Sequence, residues 1–398
     1  MALFHRALKA AYLTYASAMR LLHFSDTHLG YQAFDRVEED SGVNAREQDF
    51  YNAFEYVINR AIAERPAVVV HSGDFFHRPS PSNRALTFAL EQLRRLSDAR
   101  IPLFLIAGNH ETPRTSYNSP ILRALRSLPG IHPVFEQRWE TFSIDRVTLH
   151  GLPHLNDERL FRQELMRIEP RPDRFNLLLL HTSVGKRFLM EEYGEQMLPE
   201  ELVHRLSGFQ YLALGHWHNA QKISAHHNGW YAGSTERLSE TEVGAEKGFL
   251  WVDVRSTAEA SISFEAIPTR PWLRQEIRRC NEYSVADILS RLNDFAQEND
   301  LRQAIVSVVL SDIQPEQVVE LSNWRLKETF KDAFQLLIRR RLYTAAQQRR
   351  SAESSSFERI EDLFAHFVRQ QVGADPSLAD ALIEKAQHYF RQTETYSS

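Results

Sequence analysis

Asp26 and His28, one residue apart, close the apolar run RLLHFSD (20–26). Gly73-Asp74 closes AVVVHSGD (67–74), with His77 three residues on, and Gly108-Asn109-His110 closes PLFLIAGN (102–109). His181 ends the run FNLLLL, and Gly215-His216-Trp217-His218 ends YLAL. Each fragment alone has an ordinary explanation: Asp26 could cap a helix, His28 could be a surface histidine, and Gly-Asp or Asn-His commonly forms a turn. G-H-x-H says more, because alternate positions of an extended chain point the same way and bring two imidazoles to one centre. Five successive apolar runs that end in Asp, Asn or His, with glycines that let backbones approach, are accounted for together only by a metal site. Three carboxylate or amide oxygens and four imidazole nitrogens, without a thiolate, favour manganese, iron, zinc or magnesium. That is too many ligands for one ion but suits two ions sharing a bridging carboxylate, an arrangement that clamps a phosphate during in-line displacement. The chemistry indicated is phosphoester hydrolysis.

Something must hold those ends together. From Arg20 the chain alternates short apolar runs with amphipathic stretches: a strand at 20–26, a helix over 44–65, a strand at 67–74, a helix over 83–97 and a strand at 102–109. Further strands are expected at 147–151, 176–181 and 211–215, followed by a strand-rich finish at 229–234, 248–254 and 261–267. This is a layered α/β pattern, in which ligands collect at the carboxyl ends of strands. After Pro268 and Pro271, residues 272–345 read as a smaller α+β domain, with helices at 285–297 and 315–321 around a strand at 304–310. Residues 346–356 read as a polar linker, and 357–398 as two amphipathic helices that cannot bury their own faces well. Such helices suit either a terminal hairpin on the main domain or docking to a partner. Residues 1–18 imitate a secretory signal, but Thr14 and Ser17 break the apolar stretch, and an over-long start or short added helix is the preferred reading.

Composition removes other classes. The 398 residues carry 43% hydrophobic side chains, enough for two or more packed domains. One cysteine, Cys280, stands against 17 histidines, which excludes a disulfide framework and a cysteine-based metal site and suggests the reducing cytoplasm. No apolar run has the length of a membrane span. A net charge of −5 argues against nucleic-acid binding by bulk charge, so any polyanion contact must be local. Arg339-Arg340-Arg341 and Arg349-Arg350 could meet phosphates, though a solvated helix face is the commoner explanation.

The ordered set Asp26-x-His28, Gly73-Asp74, Gly108-Asn109-His110, His181 and Gly215-His216-x-His218 resembles the calcineurin-like metallophosphoesterases. Within them, FSDTHLGY (24–31), SGDFFHRPSPS (72–82) and IAGNHE (106–111) are similar to the SbcD-type DNA repair exonucleases, relatives of the eukaryotic meiotic-recombination nuclease. The resemblance covers residues 20–255 closely. It implies a layered β-sheet phosphoesterase (nuclease) domain over 19–268, flanked by helices, with 272–345 as a capping domain. It also implies one metal on Asp26, His28, Asp74 and His218, a second on Asp74, Asn109, His181 and His216, and Asp74 as the bridge. His110 would serve as general acid or stabilise the phosphorane, and His77 would orient the scissile phosphate. Glu111 departs from the aspartate that most relatives place there. His23 and His71, inside strands, read as satisfied core histidines. The family further implies Mn2+ as cofactor, with Mg2+, Fe2+ or Zn2+ as alternatives, DNA as substrate and a homodimer. Segment 357–398 would clip onto the coiled-coil base of an SbcC-type ABC ATPase. The chain itself has no G-x-x-x-x-G-K-[ST], so ATP dependence would come from that partner. Two other readings stay open: a small-molecule phosphodiesterase or phosphatase of the same superfamily, which would lack the segments after about residue 270, and a non-catalytic DNA-end tether, which would lack ligands.

Overall fold

The computed structural model describes residues 19–115, 119–190 and 194–343, with a few isolated positions between 368 and 386. The N-terminal extension 1–18, the linker 346–356 and nearly all of segment 357–398 lie outside the described residues. The described part divides into two compact units. One comprises residues up to Gln275 with Ala296–Ser307 and Phe330–Leu337; the other comprises Glu276–Phe295, Val308–Thr329 and residues from Ile338 on.

The first unit is built on two six-stranded sheets. β1 (Met19–Phe24), β2 (Val68–His71), β3 (Leu103–Ile106) and β4 (Ile131–Val134) run parallel. Helices α1 (Ala45–Glu64) and α2 (Asn83–Asp98) make the crossovers between β1, β2 and β3. β5 (Glu140–Ile144), β6 (Val147–Leu152), β7 (Phe175–His181), the short β8 (Ser183–Val184) and β9 (Met197–Leu198), and β10 (Tyr211–Gly215) follow. After them come β11 (Gln221–Lys222), β12 (Gly229–Tyr231), β13 (Gly248–Val254) and β14 (Ala260–Ala266). The first sheet has the order β14-β13-β1-β2-β3-β4 and the second β11-β12-β10-β7-β6-β5. Hydrophobic periodicity marks a strand but not its sheet, so the division of the strands that carry the expected ligands between two sheets is visible only in the structure.

The layers follow from side-chain alternation. Leu21, Val68, Val70, Phe104 and Ile106 on the first sheet meet Leu149, Leu177, Leu179, Tyr211 and Ala213 on the second, in one buried cluster. The alternate residues Leu22, Phe24, Val69, Leu103 and Leu105 face Phe54, Val57, Ile58 and Leu93 of the helices. Leu178, Leu180, Leu212 and Leu214 face outward to Phe161, Leu165 and Val203. The result is helices, sheet, sheet, helices, which fits the layered α/β expectation. Asn44 starts α1 by accepting from the N–H groups of Arg46 and Glu47, and Ser82 starts α2 by accepting from Ala85.

Beyond residue 270, β15 (Trp272–Ile277), β16 (Ile305–Ile313) and β17 (Gln335–Leu342) form a three-stranded sheet in that order. Helices span Val285–Glu298, Pro315–Glu320 and Asn323–Thr329. Arg339, Arg340 and Arg341 lie on strand β17 and not on a helix, which corrects the helix-face expectation; Arg340 donates to Leu321 O and Asn323 Oδ1, both at 2.8 Å. The β-branched signal that marks β16 is missing from QLLIRRRL, so this strand is set by pairing with β16 and not by propensity. Cys280 is buried, its thiol pushed up to about 11 by burial, and it offers no nucleophile. Among the described residues no helix is long and apolar enough to cross a membrane.

Candidate metal centre

The loops that follow β1, β2 and β3 of one sheet and β7 and β10 of the other meet at the carboxyl ends of their strands. Backbone bonds fix the first three. Asp26 N donates to Gly73 O, and His28 N to Asp74 O, both at 3.0 Å, so the D-x-H loop is zipped to the Gly-Asp loop. Asp26, His28, Asp74 and His216 all have positive φ (50°, 42°, 56° and 96°), a region that costs a non-glycine residue free energy and persists where the surroundings over-determine it. Four of the seven expected ligands thus sit on strained backbone. Gly108 and Gly215 permit the crowding: a Cβ on the first would fall 2.1 Å from Asp74 Oδ1, and on the second 2.1 Å from Ser72 O.

Asp74 is the hub. Its Oδ1 accepts from His110 N at 2.9 Å. Its Oδ2 is buried with no hydrogen-bond donor aimed at it, yet His181 Nε2, His28 Nε2 and His110 Nε2 lie 3.3, 3.8 and 4.0 Å away. A buried carboxylate oxygen ringed by imidazoles and lacking a donor is the environment a divalent cation satisfies. Asp26 accepts from Ser25 Oγ at 2.6 Å and from His216 N at 3.0 Å. His28 Nε2 and His218 Nε2 face each other at 3.3 Å, and His181 Nε2 is 2.9 Å from Asn109 Oδ1. Two sets of nitrogen and oxygen atoms are close enough to share one ion each: Asp26, His28 and His218, and Asp26, Asp74 and His181. A third close set, His28, His77 and His110, overlaps the first through His28. The ring of His216 stands outside these sets; its Nε2 meets Glu195 Oε1 at 2.8 Å while the ring lies edge-on to His181, centroids 5.4 Å apart.

Electrostatics differ across the cluster. Burial would raise Asp74, but His181 and His110 hold it well below the usual carboxylate range, whereas burial raises Asp26 despite His181 and His218. Against its own burial, His181 is pushed up to about 9 by Asp74 and Asp26. Burial, with the neighbouring His110, drives His28 well down. The cluster therefore carries compensating carboxylate and imidazolium charges when no cation is present.

His77 and His110, like Asn109 and unlike the buried aspartates and the expected histidine ligands, are partly open to solvent. Their rings stack with centroids 5.1 Å apart, and His110 Nδ1 donates to the His77 carbonyl at 3.0 Å, which presents Nε2 toward Asp74. Glu111 is buried and accepts from Phe75 N and Gly108 N at 3.1 Å, tying the second loop to the third; burial, then the charge of Asp74, pushes it up to about 8. His23 bonds Tyr211 Oη and Ser72 Oγ, and His71 bonds Thr27 Oγ1, so both are core groups.

Three groups had no signal in the sequence: the part-buried Glu195 beside His216, and the buried Glu242, at 3.2 Å from His218 Nδ1, and Lys247, paired with Glu242. Glu195 and Lys247 lie in irregular segments and Glu242 ends the one-turn 3-10 helix Glu240–Glu242, and neither periodicity nor a short motif marks any of them.

The model of the calcineurin-like phosphoesterases matches residues 19–220. The chain is 34% identical over 237 residues to the DNA double-strand break repair protein Mre11 of Saccharolobus solfataricus, covering 58% of each chain. To the protein of the same name from Sulfolobus acidocaldarius it is 28% identical over 285 residues, covering 69% of this chain and 71% of that one. The chain thus spans less than two thirds of the first of these relatives. Among solved structures, TT1561 of Thermus thermophilus aligns with a TM-score of 0.40 at 12% identity, covering 62% of this chain and 99% of that one. Half the chain falls under the family model, and its strand ends deliver that family's aspartates and histidines to one buried cluster: this chain belongs to the calcineurin-like phosphoesterase family.

Proposed function

We propose that this protein is a metal-dependent DNA nuclease that hydrolyses phosphodiester bonds in double-strand break repair. The observation that carries the proposal is the donor-less Asp74 Oδ2, ringed by imidazoles and bordered by the partly exposed pair His77 and His110. Asp26, His28, Asp74 and His218 would hold one cation, and Asp74, Asn109, His181 and His216 the second. Two divalent cations, Mn2+ by preference, would supply Lewis acidity toward a phosphodiester. His110, whose Nδ1 bonds the His77 carbonyl, would give a proton to the leaving oxygen, and His77 would orient the phosphate. The burial of Asp26, His28, Asp74, His181, His216 and His218 keeps bulk water from competing for their lone pairs.

DNA as substrate is supported by the segment GDFFHRPSPS and by the Mre11 repair proteins among the relatives. On the same reading, residues 272–345 form a capping domain, the protein works as a homodimer, and segment 357–398 docks on an SbcC-type coiled-coil ATPase. The decisive experiment incubates the purified protein with labelled linear DNA and Mn2+. Wild type degrades the DNA, and His110→Ala loses activity by roughly 10²–10⁴-fold while retaining bound Mn2+. Equal degradation by both proteins, or none by either, overturns the proposal.

A further inference from the structure

His216 and His218 are adjacent members of one G-H-x-H motif, yet their backing is not the same. His218 turns Nδ1 to Glu242 Oε1 at 3.2 Å and keeps Nε2 on the side of His28. His216 does the reverse, with Nε2 on Glu195 Oε1 at 2.8 Å. Both glutamates are held by other donors. Glu242 is ion-paired to the buried ammonium of Lys247 and accepts from Ser234 Oγ at 3.3 Å and Leu238 N at 3.3 Å. Glu195 accepts from the Ser183 hydroxyl and from Met190 N at 2.9 Å. An ionised carboxylate only accepts hydrogen bonds, so the nitrogen that faces it must carry the hydrogen and the opposite nitrogen the lone pair.

We propose that Glu195 and Glu242 are positioning residues that set opposite tautomers of the two motif histidines, so that His216 meets its cation through Nδ1 and His218 through Nε2. The backbone at the two histidines differs as well: His216 has φ +96° and gives its own N–H to Asp26. A carboxylate behind each ring fixes the edge and strengthens the lone pair opposite. Lys247 also donates to His218 O at 2.7 Å, so the same buried ammonium holds both the carboxylate and the backbone of the histidine it orients.

The inference rests on the two-cation reading above, and one set of measurements separates the two. Mn2+ is titrated into the full chain as wild type, Glu195→Gln and Glu242→Gln, with stoichiometry and affinity read by calorimetry. Wild type should bind two ions, and each variant should weaken one of the two by about 10–100-fold. Wild-type protein that binds no Mn2+ refutes the two-cation reading itself. Wild-type protein that binds two ions alongside variants with unchanged affinities refutes only the role of the glutamates. Should a variant fail to fold, the wild type still decides the question: 15N-histidine spectra of the Zn2+-loaded protein should show Nε2–H for His216 and Nδ1–H for His218. The same tautomer in both rings overturns the inference.

Discussion

Replacing Gly108 by alanine adds one methyl group at one of the two most crowded points of the centre. The new Cβ would lie 2.1 Å from Asp74 Oδ1 and 2.4 Å from Asp74 N, where real Cβ contacts do not fall below 3.0 Å. The carboxylate must therefore retreat by about 0.9 Å even to reach that limit, and its backbone is already held by the bond from His28 N. Gly108 does not have the positive φ that alanine resists, so the effect is one of contact alone. Overpacking of this kind costs roughly 1–3 kcal/mol of stability. The larger consequence is chemical: on the two-cation proposal, a displacement near 1 Å of the carboxylate that both cations would share should lower turnover by about 10²-fold. The assay compares Mn2+-dependent hydrolysis of linear DNA, Mn2+ stoichiometry and urea unfolding in Gly108→Ala and Gly42→Ala. Gly42 has φ +65° but no neighbour within 4 Å of an added Cβ, so its variant should lose only about 1 kcal/mol of stability and no activity. A Gly108→Ala protein with wild-type turnover and metal content would show that Asp74 is not constrained as the packing requires.

Acid should destabilise the fold through its buried neutral histidines. Burial holds His23 at about 3, below the 6.5 of an unfolded chain, so the unfolded state takes the proton first and stability is lost as pH falls from about 6.5 toward 3. The slope is roughly 1 kcal/mol per pH unit for this group, and His23→Gln should flatten it; urea midpoints at about pH 7 and pH 5 that move equally in both proteins would contradict this. Asn44→Ala removes an oxygen that accepts two helix-end N–H groups and an amide that donates to Phe34 O at 2.7 Å, and should cost about 1–2 kcal/mol by denaturant titration. Deleting 357–398 should abolish co-purification with a coiled-coil ATPase at unchanged Mn2+ content, and undiminished co-purification would remove the docking role.

Much of the centre is legible in the sequence because its candidate ligands obey a simple rule: each closes an apolar strand or the loop just after it, and a glycine stands beside several of them. Asp26, Asp74, Asn109, His181 and His218 can all be read that way. What escapes is whatever depends on distant chain. Glu242 finds His218 across 24 residues and Glu195 finds His216 across 21, without a shared element whose periodicity could reveal the pairing. The left-handed backbone at Asp26, His28 and His216 is equally hidden, since those residue types do not announce it; the close-packed loops impose it. The two-sheet layering is hidden for a related reason, as Leu177 and Leu178 are both buried, one toward the partner sheet and one toward helices, and look alike in sequence. Strand β17 gives no strand signal because arginines occupy three of its eight positions.

The division of the ligands between two sheets has a consequence for how the protein is made. β1, followed by Asp26, pairs on one side with β13, which begins at Gly248, and His218 follows β10 of the other sheet. A nascent chain emerging from the ribosome thus presents Asp26, His28 and Asp74 long before the partners that complete the cluster exist. Until both sheets have formed and docked, those early side chains are a loose collection with little hold on any ion, and passing metal ions gain no early claim on them. On the two-cation proposal, cation binding is therefore deferred to the finished domain, where the full set of ligands first exists.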